Sequence, residues 1–180
     1  MSDIKTLRAY ANGRKLPEFK LIANVSREWL EYAHQEYLRT PISSDYAKEQ
    51  READGILGTE VQEYRDLITY YNQSYVNNII IPEEFNLLDG VHHIRFGELK
   101  HSSTIPFHID EPFTLRTLCV IKGEHKFISE TGAETMMYPG ELYFVNGCFK
   151  HSVINTGDCD RIAVLSKHNI SDHNVSIITT

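Results

Sequence analysis

The sequence predicts a mainly β fold, a barrel or a sandwich, with helices packed against its outer face. The chain changes character near residue 90. Helical periodicity dominates before that point, and short alternating segments separated by turn residues dominate after it. The length of 180 residues favours a single domain. We therefore expect one domain over 1–180, with a helical part at 1–90 and a β core at 91–170.

Two helices are expected in the first half. Ser26 is placed to cap a helix over 27–38, where apolar residues recur at helical spacing. A capping-box pattern and an apolar stripe predict a second helix from residue 59 to about residue 75. The polar segment 41–58 between them is expected to be a surface loop.

Six short strands are expected in the second half. Turn residues such as Pro139-Gly140 and Asn146-Gly147 separate them. Many short strands at regular spacing are typical of a β-barrel or a β-sandwich. The expected strands are 91–96, 113–121, 125–129, 141–146, 151–155 and 161–166.

The composition argues against several classes of partner. The net charge of -7 disfavours a broad nucleic-acid-binding face, because such a surface repels phosphates. The longest apolar stretches are far too short to cross a bilayer, so we expect no membrane partner. The chain start lacks the pattern of a secretion signal, and the three cysteines form no C-x-x-C pair. We therefore expect reduced thiols and a cytoplasmic location.

A candidate metal site is formed by three residues of the β region. His108 and Asp110 are two residues apart, and on extended backbone such side chains point to the same side. His151 is the best third ligand, because it starts a predicted strand after a turn. Two histidines and one carboxylate are the facial triad of non-heme Fe(II) oxygenases, which leaves positions open for a 2-oxo acid and O2. We therefore predict an Fe(II) site.

Arg161 is a candidate ligand for the co-substrate. The strands 151–155 and 161–166 flank a glycine-containing turn, which predicts a hairpin. If Val153 pairs with Ala163, Arg161 shares the face of His151 and lies about 13 Å along the strand from the residue opposite that histidine. A bound diacid and the arginine side chain would fill this distance. A register slip of one residue would instead turn Arg161 outward.

The order of these motifs resembles the aspartyl/asparaginyl β-hydroxylase-like branch of the 2-oxoglutarate/Fe(II) dioxygenases. This branch includes bacterial hydroxylases of free amino acids such as proline. The resemblance covers about residues 91–165. The shared features are the H-x-D motif, a glycine-containing turn before a strand at 139–142, a His-x-Val-x-Asn segment at 151–155, and an arginine ten residues after the second histidine.

The resemblance implies a double-stranded β-helix, which is a cupin-like jelly-roll barrel. It implies Fe(II) held by His108, Asp110 and His151, with Arg161 on the far carboxylate of 2-oxoglutarate. The implied reaction uses O2 to hydroxylate an aliphatic C–H and releases succinate and CO2. The implied substrate is a small molecule or a peptide, with an amino acid or amino-acid residue as the hydroxylated group.

The sequence also departs from the pattern of this branch. Members often carry Arg-x-His on the strand after the first ligand pair, whereas this chain has Arg116-Thr117-Leu118. Arg116 is therefore a second candidate for binding 2-oxoglutarate, at its metal end, or for contacting an acidic group of the substrate. A polar residue is often found where this chain has Gly97.

Two alternative functions remain open at this point. One is a cupin-type metal enzyme that does not use 2-oxoglutarate. Cupins commonly use more histidine ligands, and His92, His93 and His101 are nearby candidates. The other is a barrel that binds a metal or a carboxylate without catalysis. Formation of succinate from 2-oxoglutarate separates both alternatives from the oxygenase.

Overall fold

The computed structural model of the protein describes residues 13–40, 71–76, 79–110 and 115–180. Ten strands, two α-helices and one 3-10 helix lie within these residues. The strands are β1 (Phe19–Asn24), β2 (Tyr71–Tyr75), β3 (His92–Leu99), β4 (Thr104–His108), β5 (Leu115–Lys122), β6 (His125–Ser129), β7 (Glu134–Met137), β8 (Glu141–Val145), β9 (His151–Ile154) and β10 (Arg161–His168). The helices are α1 (Arg27–Arg39), the 3-10 helix (Glu83–Leu87) and α2 (Asp172–Thr179).

The strands form two antiparallel sheets. The six-stranded sheet has the order β1-β8-β5-β10-β3-β2, and the four-stranded sheet has the order β4-β9-β6-β7. Between β3 and β10 the chain passes repeatedly from one sheet to the other. Four strands of the larger sheet, β8-β5-β10-β3, therefore face all four strands of the smaller one. This arrangement is a double-stranded β-helix, the cupin-like jelly roll, so the expected fold class is confirmed.

Side chains from the two sheets meet in one apolar core. Strand alternation separates this core from a second cluster on the outer face. On β10, for example, Ala163 packs between the sheets, whereas Val164 packs in the outer cluster with Trp29 and Ala33 of α1. The buried residues between the sheets are Leu99, Ile105, Leu118, Val120, Phe127, Met137, Tyr143, Val145, Val153 and Ala163.

The first helix follows the prediction closely. The Ser26 side chain accepts a hydrogen bond from the Trp29 amide, which satisfies one of the amides left open at a helix start. The helix ends at Arg39, one residue beyond the expected end. It packs on the outer face of the larger sheet, as expected. Neither of the two α-helices that the structure describes is long and apolar enough to cross a membrane.

The prediction of a second helix is wrong over its last five residues. Residues Tyr71–Tyr75 form β2, which pairs with β3 at the edge of the larger sheet. Pairing with an open strand edge outweighs local helical periodicity there. The remaining part of that predicted helix, 59–70, and the predicted loop 41–58 lie outside the described residues.

The six strands expected after residue 90 are present, with ends shifted by a few residues. The start of the second of them, 113–114, lies outside the described residues. Besides β2, five elements were not predicted. These are β1, β4, β7, the 3-10 helix and α2.

The predicted hairpin of β9 and β10 is wrong. The two strands belong to opposite sheets: Val153 pairs with Ile105 and Phe127, whereas Ala163 pairs with Gly97 and Val120. The segment between the strands turns a corner from one sheet to the other. The Asn155 side-chain amide holds this corner, because it donates to the carbonyls of Leu99, Lys100 and Cys159 at 3.1, 3.2 and 2.9 Å.

The environments of the three free cysteines predict different reactivities. Burial raises the pKa of the Cys119 thiol to about 12, and Cys148 is also buried, whereas Cys159 is half-buried. We expect iodoacetamide at neutral pH to label Cys159 in the folded protein and the other two thiols only after unfolding, because the thiolate is the reactive form. Peptide mass spectrometry measures the labelling. Rapid labelling of Cys119 in the folded protein would contradict this packing.

Candidate metal centre

Two paired strand ends and the residues that follow one of them bring His108, Asp110 and His151 together. His108 ends β4, His151 begins β9, and the two residues are partners in the pairing of these strands. Asp110 follows two residues after His108, and its amide donates to the Gly147 carbonyl at 2.9 Å, which fixes the backbone there. One ligand atom from each of the three side chains lies within 4.8 Å of the others. The three residues predicted as ligands therefore converge on one point.

Hydrogen bonds orient both imidazole rings toward Asp110. Nδ1 of His108 lies 2.7 Å from the Pro106 carbonyl oxygen, and Nδ1 of His151 lies 2.9 Å from the Phe149 carbonyl oxygen. A carbonyl only accepts, so each Nδ1 carries the proton and each Nε2 presents a lone pair. The Nε2 atoms lie 3.5 and 3.4 Å from the Asp110 carboxylate. Such partners fix the tautomer and orientation of metal-binding histidines.

The electrostatics of the group favour the protonation states that bind metal. Burial, assisted by the neighbouring His151, lowers the pKa of His108 to about 4, so this imidazole is neutral near pH 7. Burial alone would raise the pKa of Asp110. The Arg116 guanidinium, 3.6 Å away, and the two imidazoles outweigh burial and hold that pKa well below its usual range. A neutral imidazole and an ionised carboxylate are the metal-binding forms.

The donor set fits a divalent transition metal. Two imidazole nitrogens and one carboxylate suit Fe(II), and three protein ligands leave further coordination positions for small molecules. The structure supplies the three donors as two buried histidines and one half-buried aspartate. His108, Asp110 and His151 are thus the side chains that would hold the ion.

Gly147 keeps space for the Asp110 carboxylate. A Cβ atom at residue 147 would lie 2.7 Å from the Asp110 Cβ and 3.1 Å from its Oδ2. We expect Gly147→Ala to displace the carboxylate and to weaken Fe(II) binding by roughly 10- to 100-fold, as do other changes beside metal ligands. Calorimetric titration with Fe(II) under anaerobic conditions measures the affinity.

Gly157→Ala is the matched control for this prediction. Its new Cβ would meet the flexible Glu124 side chain at 3.1 Å, and residue 157 does not line the cavity. We expect this variant to bind Fe(II) as the wild type does. Wild-type affinity in Gly147→Ala would show that the carboxylate does not depend on this glycine.

A cavity of about 80 Å³ adjoins the three residues. It lies between the two sheets, and most of its wall is apolar. The Phe127 ring stacks on the His151 ring, with centroids 5.2 Å apart and planes 15° apart, which restricts the ring of the histidine. The lining residues are Arg95, Ile105, His108, Asp110, Arg116, Thr117, Leu118, Phe127, Val145, His151, Val153, Arg161, Leu165 and Ser166.

Arg161 lies in this cavity, although the hairpin used to predict its place does not exist. It begins β10 in the larger sheet and faces the smaller sheet that carries His108 and His151. Its side chain is 1% exposed, and Nη1 donates to the Gly97 carbonyl at 3.4 Å. The two sheets face each other, so the arginine reaches the histidines' cavity across the barrel interior.

Two further arginines line the cavity, and only one was expected. Arg116, on β5, contacts the Asp110 carboxylate. Arg95, on β3, is 6% exposed and was not predicted. It lies two residues before Gly97 and so shares its face, but alternation alone does not show that this face is the inner one.

The additional histidines considered for a cupin-type site lie elsewhere. His92 is half-buried and its Nδ1 contacts the Gly90 carbonyl, while His93 and His101 are exposed. None of the three lines the cavity as the structure describes it. The candidate centre thus contains two histidines and one carboxylate, and a set richer in histidine is not formed there.

The chain matches no protein-family model and none of the curated proteins. Solved structures with similar folds include a predicted oxalate decarboxylase from Thermotoga maritima, at 18% identity and a TM-score of 0.41, covering 56% of this chain and 81% of that one. An RmlC-like cupin protein from Desulfovibrio desulfuricans is 14% identical, with a TM-score of 0.39 and coverage of 54% and 83%. A cupin-superfamily sugar phosphate isomerase from Silicibacter pomeroyi is 13% identical, with a TM-score of 0.39 and coverage of 57% and 61%.

Proposed function

We propose that this protein is an Fe(II)- and 2-oxoglutarate-dependent dioxygenase that hydroxylates an aliphatic C–H group. One observation carries the proposal: the group of His108, Asp110 and His151 opens onto the same buried cavity as the guanidinium of Arg161. A site of two histidines and one carboxylate is, by itself, compatible with many metal-dependent reactions. A buried arginine in the same cavity supplies a second anchor, which a diacid co-substrate requires.

The register of the larger sheet supports the placement of a diacid. Arg116 pairs with Lys167 on β10, and Arg161 lies six residues earlier on that strand. The two positions are about 20 Å apart along the strand, yet both arginine side chains line the cavity. They therefore enter it from opposite ends, Arg116 beside Asp110 and Arg161 at the far end. A 2-oxo diacid bound at the metal would point its second carboxylate toward Arg161.

The chain's own residues bind the reactants, orient them and exclude water. When bound, Fe(II) would support the oxidative decarboxylation of 2-oxoglutarate by O2 to succinate and CO2. One oxygen atom of O2 would be transferred to the substrate C–H. Asp110 would contribute a negative charge to the ion and fill one coordination position. Apolar lining side chains such as Ile105, Val153 and Phe127 exclude water from the reacting groups.

The proposed substrate is an amino acid or an amino-acid residue, presented as a small molecule or within a peptide. This choice follows the motif resemblance at 91–165. The net charge of -7 disfavours nucleic acid as the substrate. The free thiols suit work in a reducing cytoplasm.

Substrate-stimulated succinate formation tests the proposal. The protein is reconstituted with Fe(II), supplied with 2-oxoglutarate and O2, and screened with the twenty amino acids and a set of short peptides. We expect at least one compound to increase succinate formation and to gain one oxygen atom by mass spectrometry. Metal-free protein is the control and should form no succinate.

Two results would contradict the proposal. Conversion of a screened compound without consumption of 2-oxoglutarate would identify a metal enzyme of another kind. Binding of Fe(II) with no succinate under any condition would favour a barrel that binds its ligands without turnover.

A further inference from the structure

His125 is a buried histidine of the barrel interior that the proposed reaction does not yet use. On β6 the side chains of His125, Phe127 and Ser129 are buried, whereas those between them are half-buried. Phe127 packs in the core between the two sheets, so strand alternation turns His125 toward the same interior. The residue is 0% exposed, which removes its ring from bulk solvent.

His125 lies at the end of the barrel that is remote from the candidate metal centre. β6 pairs with β9, where Ser129 is opposite His151. His125 is four residues before Ser129, which places it about 13 Å from the metal end along the strand. Arg161, at the start of β10 in the facing sheet, lies at this same far end. The histidine and the arginine therefore approach one end of the interior from opposite sheets.

The turn that precedes β6 brings the two residues close together. A Cβ atom at Gly123 would lie 3.1 Å from the Arg161 Cα atom. Gly123 is two residues before His125, so the Cα atoms of His125 and Arg161 lie within about 12 Å of each other, even if the chain between is fully extended. Burial and the charge of Arg161 lower the pKa of His125 well below its usual range, so the ring is neutral near pH 7.

Neither ring nitrogen of His125 has a hydrogen-bond partner among the residues that the structure describes. A neutral imidazole carries one N–H, and a buried N–H without an acceptor is costly. Met137, the residue opposite on β7, offers only a thioether, which is a weak acceptor. The Arg161 guanidinium offers donors only. An anionic oxygen within reach of both residues would satisfy the histidine N–H.

We propose that His125 donates a hydrogen bond to the distal carboxylate of the co-substrate, so that it and Arg161 together select a 2-oxo diacid over a 2-oxo monoacid. The inference rests on the function proposed for this site. A carboxylate has about four acceptor positions, and a guanidinium fork uses two of them, which leaves room for a third N–H donor. His125 does not line the cavity beside the metal ligands, so its contact is with the far carboxylate and not with the metal-bound end.

Two 2-oxo acids that differ only at their far end test this proposal by binding. 2-Oxopentanoate has the carbon chain of 2-oxoglutarate, with a methyl group in place of the distal carboxylate. Zn(II)-loaded protein is titrated calorimetrically with each acid. In His125→Phe, which keeps a ring without its nitrogens, we expect the dissociation constant for 2-oxoglutarate to rise about 10- to 100-fold, because a charge-assisted hydrogen bond is lost. The constant for 2-oxopentanoate should change less than about threefold, because that acid brings no acceptor to the histidine.

Two further variants and one spectrum keep the test interpretable. His125→Gln keeps an N–H donor, so its affinity for 2-oxoglutarate should stay within about tenfold of wild type. His101→Phe changes an exposed histidine outside the cavity and should behave as wild type. The spectrum is an NMR measurement of imidazole N–H groups in the Zn(II)-loaded wild type, which needs no variant to fold. We expect the His125 N–H signal to move downfield with 2-oxoglutarate and to stay in place with 2-oxopentanoate.

Three results would overturn the assignment of His125. They are unchanged 2-oxoglutarate affinity in a folded His125→Phe variant, equal losses of affinity for both acids, and a His125 N–H signal that 2-oxoglutarate does not move. Failure of the proposed function gives a different pattern. If 2-oxoglutarate binds through His125 but no succinate forms with any compound, the oxygenase proposal fails and the assignment of His125 stands. If the wild type does not bind 2-oxoglutarate, both fail.

Discussion

Replacing His108 or His151 by alanine is expected to abolish Fe(II) binding at stoichiometric concentrations and to lower succinate formation by roughly a thousandfold or more. Each substitution removes one of three protein donors, and the two that remain cannot hold the ion with the geometry that leaves its other positions open. Both rings are buried, and a backbone carbonyl holds each Nδ1, so the substitution removes an Nε2 donor that is oriented toward Asp110. Anaerobic titration with Fe(II) and an assay of succinate measure the two effects.

His101→Ala is the matched control for these variants. His101 is exposed and lies outside the cavity lining, so its loss should leave both Fe(II) affinity and turnover unchanged. Full activity in either His108→Ala or His151→Ala would remove that histidine from the metal centre. Equal losses in all three variants would indicate a general effect of histidine removal on the fold.

Replacing Arg161 by alanine is expected to raise the dissociation constant for 2-oxoglutarate by roughly 30- to 4000-fold. Loss of a buried charge-assisted clamp costs about 2–5 kcal/mol, which corresponds to that range. Fe(II) binding should change little, because Arg161 enters the cavity from the end opposite to Asp110. Calorimetric titration of the Mn(II)-loaded protein with 2-oxoglutarate gives the affinity.

Arg161→Lys tests whether charge alone is sufficient. Lysine keeps the positive charge but offers no bidentate fork, so an intermediate affinity is expected. Arg161→Lys also serves as a folding control. Arg161 is 1% exposed, so alanine would leave a destabilising void that lysine partly fills. Unchanged 2-oxoglutarate affinity in a folded Arg161→Ala variant would show that this arginine does not hold the co-substrate.

Local rules were sufficient to locate the residues of the candidate metal centre. His108 and Asp110 converge because extended backbone repeats every two residues, and His151 joins them because it starts a strand that follows a turn. The sequence did not identify one of the two strands that lie beside β9. That strand is β4, which was not predicted, and its pairing of His108 with His151 is a long-range contact.

One physical reason explains why the predicted hairpin is wrong although Arg161 lies in the cavity as predicted. Strands joined by a short glycine-containing turn look like a hairpin in sequence, but in a double-stranded β-helix consecutive strands often enter opposite sheets. The corner held by Asn155 sends β10 to the larger sheet. Arg161 still reaches the cavity, because inward-facing residues of both sheets share one interior.

Two contributors to the site were missed for reasons of tertiary structure. The sequence pattern indicates Gly147 only as part of a turn, whereas its importance lies in the close approach to Asp110, which no local pattern reveals. Arg95 lies on a predicted strand, but period-2 alternation shows only which residues share a face and not which face is inside. The edge strand β2 was mistaken for helix, because its partner β3 lies about twenty residues further along the chain.

A crystal structure of the protein grown anaerobically with Fe(II) and 2-oxoglutarate tests the central claim most directly. The expected result is a single ion about 2.1 Å from Nε2 of both His108 and His151 and from one Asp110 oxygen. The co-substrate should chelate the ion through its 2-oxo and adjacent carboxylate oxygens, with the distal carboxylate on Arg161. An ion bound elsewhere, or a diacid absent from this cavity at saturating concentration, would contradict the proposed oxygenase site.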